Sequence, residues 1–78
     1  MRERRLRLIL TFPTTQAAMA AERCLKEAGG CGRLIPVPEA IHAGCGLAWS
    51  APSEERAALF QALGDAGIPW ESANELVL

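Results

Sequence analysis

Hydrophobic and polar residues alternate near the start of the chain, and this pattern predicts a first β-strand over residues 7–12. Leu8, Leu10 and Phe12 occupy alternate positions, with Ile9 and a threonine between them. Successive side chains of a strand point to opposite faces, so one face should lie on the core. Pro13 should end the strand.

A helix is predicted next, because small apolar residues recur every three or four positions. Thr14 or Thr15 can cap its first turn, and Gly29-Gly30 should stop it. The predicted buried positions are Ala18, Ala21, Leu25 and Ala28. A face built from alanine allows the helix to lie close to a sheet.

Two strands are predicted in the middle of the chain, over residues 33–37 and 46–51. The first contains Pro36 and is followed by Pro38. Proline cannot donate a hydrogen bond to a neighbouring strand, so this strand should lie at a sheet edge. In the second, Leu47, Trp49 and Ala51 share one face.

A second helix should begin at Ser53, a good N-cap followed by two glutamates that favour a helix start. Gly67-Ile68 predicts a Schellman ending in which Ile68 packs back on the helix. A last strand is predicted over residues 70–78, best defined over 76–78 and irregular around 72–74. The predicted apolar stripe of the second helix, with Phe60 beside it, consists of Leu59, Ala62, Leu63 and Ala66.

The predicted order is therefore strand, helix, strand, strand, helix, strand. At this length, the order favours a ferredoxin-like α+β fold with a four-stranded antiparallel sheet and two helices on one face. The second and fourth strands would be the edges. Alternation would place Ile9, and one of Ile35 and Val37, on the open face, where an apolar patch would mark an interface.

Composition narrows the class of protein. The chain has 78 residues and predicts a single domain over 1–78, half of it apolar. Its first seven residues hold four arginines and one glutamate and so carry a charge of +3. The net charge of the chain is −1, so the remaining residues carry −4. That distribution argues against a nucleic-acid-binding face. The first apolar run is too broken for a secretory signal or a membrane span, so a cytoplasmic location is expected.

The cysteines are the candidate chemical groups. There are three, an odd number without framework spacing, as expected of free thiols in a reducing compartment. Cys45-Gly46 stands at the entrance of the third strand, and the topology would bring it near Thr14 and Thr15 at the N-terminus of the first helix. A helix N-terminus favours a thiolate, so Cys45 is the predicted nucleophile, exposed in its loop.

Each candidate also has a purely structural interpretation. Cys24 and Cys31 are expected to be structural thiols, and Cys31 and Cys45 should lie too far apart for a disulfide. His42, three residues before Cys45, is a candidate base or proton donor, or simply an exposed loop histidine. No second ligand pair completes a zinc site with His42 and Cys45, so no metal or cofactor is expected.

The chain also resembles the DUF3343 family, described as selenium/sulfur carrier-like. The resemblance rests on four segments, which are Thr11-Phe12, Ala18–Glu22, Leu34–Pro38 and Cys45–Ala48. The chain differs from many relatives in having Glu39 where they have arginine, and in having His42-Ala43-Gly44 where they have serines. These changes remove donors that would hold a selenite-like or sulfur anion, which His42 could partly replace, and they do not affect the thiol chemistry. Sulfur and selenium both stay open.

The resemblance and the thiol position together predict a carrier, more than an enzyme. Cys45 would accept a sulfane sulfur or selenium atom from a donor protein and pass it to an acceptor protein. The alternative is a small regulatory or interaction module that uses the open sheet face without thiol chemistry. A homodimer through that face is compatible with both.

Overall fold

The computed structural model of the protein describes residues 5–41 and 45–77. Helices and strands follow the predicted order. In chain order the elements are β1 (Leu6–Thr11), α1 (Thr15–Glu27), β2 (Arg33–Pro36), β3 (Leu47–Pro52), a short 3₁₀ turn (Ser53–Glu55), α2 (Arg56–Ala66) and β4 (Ser72–Val77).

The four strands form one antiparallel sheet in the order β2-β3-β1-β4. This arrangement confirms the ferredoxin-like α+β fold, with β2 and β4 at the edges. Pro36 is the last residue of β2 and lies opposite Leu47, so its missing N–H interrupts no central ladder. The chain can therefore tolerate proline there.

The core lies between the helices and one face of the sheet. Strand side chains of that face pack on the alanine-rich side of α1, as the alternation predicted. The fully buried members of the core include Leu8, Leu10, Phe12, Ala18, Ala21, Trp49 and Leu63. Two predicted core residues are wrong: Ala28 and Ala66 are exposed. Ala28 is the C-cap that follows α1, and Ala66 is the last residue of α2.

Three of the predicted helix ends can be compared with the structure. Thr14 caps α1, since its Oγ1 accepts a hydrogen bond from Ala17 N at 3.0 Å. Gly67 has a φ of 68°, and Ile68 N donates to Leu63 O at 3.0 Å, which confirms the Schellman ending of α2. The prediction for Ser53 is wrong: it opens the 3₁₀ turn, and its buried Oγ has no hydrogen-bond partner among the described residues.

The last strand is more regular than expected. Ser72 and Asn74 pair with Thr11 and Ile9 of β1, so the irregularity predicted around residues 72–74 is absent. The Oγ atoms of Thr11 and Ser72 lie 2.6 Å apart, and Ser72 N donates to Thr11 Oγ1 at 3.0 Å. This network holds the start of β4 against the end of β1.

The open face of the sheet differs from the expectation in one respect. Ile9 lies on it, opposite Ser50 and Asn74, yet none of its surface is exposed. Ile35, opposite Ala48, is partly buried. The apolar patch expected on this face therefore lacks Ile9, and a homodimer through it stays a prediction.

Candidate functional site

The candidate site is the end of the connection between β2 and β3 that carries Cys45. The register places Leu47 opposite Pro36, and Ala48 opposite Thr11, the last residue of β1. Cys45 precedes Leu47 by two residues, so it belongs to the end of the sheet where β1 finishes. The first residue of α1, Thr15, follows Thr11 after three residues. Cys45 and the N-terminus of α1 therefore lie at the same end of the sheet.

The sulfur of Cys45 is more enclosed than the sequence predicted. We expected an exposed side chain, but Cys45 is partly buried and packs against the core. Its Sγ donates a hydrogen bond to Leu47 O at 3.4 Å. A thiol in this position is shielded on its inner side, and a reacting partner has to approach it from the solvent side.

Gly46 shapes the backbone beside the sulfur. Its φ of 77° lies in the left-handed region, which glycine adopts without steric cost and other residues rarely adopt. Gly46 O accepts a hydrogen bond from Val37 N at 3.0 Å. This bond extends the β2–β3 ladder by one step and closes the base of the loop, so that Cys45 stands just outside the last paired residues.

The N-terminus of α1 places a partial positive charge at this end of the sheet. The Thr14 side chain caps Ala17 N, and Ala18 N donates to Thr14 O at 3.1 Å. No acidic residue occupies the first turn of α1. The partial positive charge of the helix end is thus not offset by a carboxylate of its own first turn. Thr15 is exposed at the first helical position.

His42 cannot be placed relative to Cys45. Together with Ala43 and Gly44 it lies outside the described residues, so its role as a base or proton donor stays a prediction. Within residues 5–41 and 45–77, no three His, Cys, Asp or Glu side chains form a group that could hold a metal ion.

Cys24 lies in α1 and contacts the other helix. It is partly buried, and its Sγ donates to Ala62 O of α2 at 3.6 Å. The hydrogen bond links the two helices across their interface. Its position fits the structural role expected for this thiol.

Cys31 is exposed at the opposite end of β2 from Cys45. Its backbone N–H donates to the Glu55 carboxylate, at 3.2 Å from Oε1 and 3.4 Å from Oε2. Glu55 also raises the pKa of the Cys31 thiol above its ordinary value, first by accepting a hydrogen bond from the thiol and then by its negative charge. Both effects disfavour the thiolate.

Sequence reasoning missed the pairing of Glu55 with Cys31. Glu55 was interpreted only as a carboxylate that favours a helix start. The two residues are 24 positions apart, and no local pattern in the sequence connects them. The arrival of the 3₁₀ turn beside the loop after α1 depends on how the helices pack on the sheet.

The chain was compared with known protein families. The family model described as "Putative Se/S carrier protein-like" matches residues 7–74, which include most of β1, Cys45 and the start of β4. Searches of curated proteins and of solved structures gave no match. In the described part of the chain, no helix is long and apolar enough to cross a membrane. The family match covers most of the chain, and the protein belongs to the Se/S carrier protein-like family.

Proposed function

We propose that the protein carries a sulfane sulfur or selenium atom on Cys45 between a donor protein and an acceptor protein. Membership in the Se/S carrier-like family supports the cargo. The observation that supports Cys45 as the carrying residue is its position at the end of the sheet where α1 begins, beside Gly46.

Loading is an exchange of one bond between chalcogen atoms for another. The Cys45 thiolate attacks the outer sulfur of a donor persulfide, a new S–S bond forms at Cys45, and the donor leaves as a thiolate. The proton released by the Cys45 thiol is taken up by that leaving thiolate or by water. No external oxidant is required. Unloading repeats the exchange, with the acceptor thiolate attacking the outer sulfur and Cys45 leaving.

The same exchange applies to selenium when the donor carries a terminal selenium atom. The enclosed inner side of Cys45 sets a further requirement: the attack must occur along the solvent side of the loop. The hydrogen bond from Sγ to Leu47 O must also be released when the thiolate forms. A docking partner that approaches this end of the sheet would meet both the sulfur and the start of α1.

The test uses a variant in which Cys45 is the sole cysteine, with Cys24→Ser and Cys31→Ser. It is incubated with glutathione persulfide or, in a parallel sample, with the selenium analogue, and the adduct is located by peptide mass spectrometry. We expect one added sulfur or selenium atom on Cys45, which a dithiol removes. Comparing the extent of loading by the two reagents shows whether Cys45 accepts sulfur or selenium more readily.

A matched variant that retains only Cys24 is the control, because that thiol is also partly buried but bonds between the helices. Loading of Cys45 that is no faster than loading of Cys24 would contradict the proposal. A third variant with Cys45→Ser and both other thiols intact should show no carrier activity towards a low-molecular-weight acceptor thiol.

A further inference from the structure

We propose that Glu55 is a selectivity residue: its carboxylate holds the neighbouring Cys31 in the thiol form and so directs thiolate chemistry away from this exposed sulfur. The effect on Cys31 is independent of what Cys45 does. Its consequence for sulfur loading rests on the function proposed above.

The geometry places the carboxylate along the Gly30–Cys31 backbone. Both Glu55 oxygens lie within 3.4 Å of Cys31 N. A β-carbon added at Gly30 would be 3.7 Å from Oε1, so the carboxylate extends past both residues. Glu55 is itself only partly exposed, but Cys31 is exposed, so water weakens the repulsion between the carboxylate and a thiolate.

A carboxylate in this position acts differently on the two forms of the thiol. The neutral S–H can donate a hydrogen bond to it, whereas the thiolate has no proton to donate and carries the same sign of charge. Hydrogen bonding to the neutral form and like-charge repulsion both disfavour ionisation. The raised pKa of Cys31 follows from these two causes in that order, and desolvation makes the smallest contribution.

Charged groups of both signs lie on the elements around Cys31. At the end of α1, Lys26 forms an ion pair with Glu22 at 3.5 Å, and Glu27 adds a further negative charge. Arg33 of β2 lies opposite Ser50, on the open face of the sheet. Glu54, in the same 3₁₀ turn as Glu55, is also negative. Glu55 is the charged side chain that shifts the pKa of Cys31.

The consequence for selectivity follows from exposure. Cys31 is exposed, whereas Cys45 and Cys24 are both partly buried. Cys24 also contacts α2. Access alone would make Cys31 the first thiol that a sulfur donor, oxidant or alkylating reagent meets. Rates of thiol exchange depend on the thiolate fraction as well as on access. Glu55 lowers the thiolate fraction of Cys31 and so slows its reaction with the sulfur donor, and loading occurs at Cys45 instead.

The test is carried out in a chain with Cys24→Ser and Cys45→Ser, so that Cys31 is the sole thiol. The rate of iodoacetamide alkylation is followed against pH for this chain, for Glu55→Gln and for Glu54→Gln. Glutamine at position 55 can still accept the Cys31 N–H bond, and the two variants lose the same formal charge from adjacent positions. We expect Glu55→Gln to move the alkylation midpoint to lower pH and to raise the rate near neutral pH several-fold, with little change in Glu54→Gln.

Equal midpoints for Glu55→Gln and Glu54→Gln would overturn the proposal. A measurement that requires no substitution at Glu55 protects the test against a folding defect: the midpoint of Cys31 in the folded chain is compared with that in the chain unfolded by urea. It should be higher in the folded chain, and an equal or lower value would again overturn the proposal. Sulfur loading of Cys45 is measured separately, so the carrier function can fail while the effect of Glu55 on Cys31 stands.

Discussion

Gly32 lies directly against the side chain of Trp49. A β-carbon added at Gly32 would come within 2.5 Å of the Trp49 indole nitrogen and 2.6 Å of Ser50 O. Trp49 is the largest fully buried side chain of the described core. The end of the loop between α1 and β2 therefore lies beside β3 at a position that has no room for a side chain.

Gly32→Ala should destabilise the fold, because the new methyl group must displace either Trp49 or the β3 backbone. Overpacking of this kind costs about 1–3 kcal/mol, which urea unfolding would measure. Gly64→Ala is the matched control, since a β-carbon at Gly64 meets open space within α2 and alanine is favoured over glycine in a helix by roughly 0.5–1 kcal/mol. Equal stability of the two variants would show that the contact with Trp49 leaves room for a methyl group at position 32.

Substitutions at Thr14 can test whether the start of α1 acts on Cys45. Aspartate and asparagine both cap helices well, but only aspartate adds a negative charge at this end of the sheet. In a chain with Cys45 as its sole cysteine, Thr14→Asp should slow alkylation of Cys45 at neutral pH, and Thr14→Asn should not. The difference should shrink at high salt because screening weakens the interaction. Identical alkylation rates of Thr14→Asp and Thr14→Asn at low salt would show that a charge at the start of α1 does not affect Cys45.

The left-handed backbone at Gly46 predicts a local effect on Cys45. Gly46→Ala forces a side chain into a φ of 77°, at a cost of roughly 1–2 kcal/mol. Gly67→Ala imposes a similar strain at a φ of 68°, and a β-carbon meets open space at both positions. Urea unfolding should therefore show comparable destabilisation in the two variants. Alkylation of Cys45 should change only in Gly46→Ala, and an equal change in Gly67→Ala would indicate a global effect.

The raised pKa of Cys31 predicts a dependence of stability on alkaline pH. The folded protein holds the Cys31 proton more tightly than the unfolded chain, in which the pKa of the thiol is near 9.0. The contribution is therefore fully present below that pH and is lost as pH rises towards the folded pKa. Urea midpoints measured across this range should fall more steeply for the natural chain than for Cys31→Ser. The two slopes should converge when Glu55→Gln is added to both chains.

Most of the fold could be predicted because its signals are local. Alternation identified β1, Thr14 and Gly67 marked helix ends, and the prolines of β2 assigned it to an edge. These features depend on backbone geometry within a few residues. The failures occurred where local rules met tertiary contacts. Ser53 is a good N-cap by type, but the chain forms a 3₁₀ turn there, and no group in residues 5–41 and 45–77 forms a hydrogen bond with its Oγ.

The candidate site divides in the same way. The position of Cys45 at the end of the sheet where α1 begins follows from the order of elements, so it could be derived from the sequence. The packing of its side chain on the core could not, because the loop that carries it has no periodic pattern. The placement of His42 lies outside the described residues and stays a prediction.

The sequence by itself determined the elements, their order and the edge strands, since periodicity, capping and proline act over short distances. The choice of Cys45 as the residue that carries sulfur stays a prediction. Only the tertiary structure decided that Ile9 is buried on the open face, that Cys45 is partly enclosed, and that Glu55 meets Cys31. Each of these outcomes depends on surfaces that come together only when residues far apart in the chain pack, and short-range patterns carry no information about such contacts.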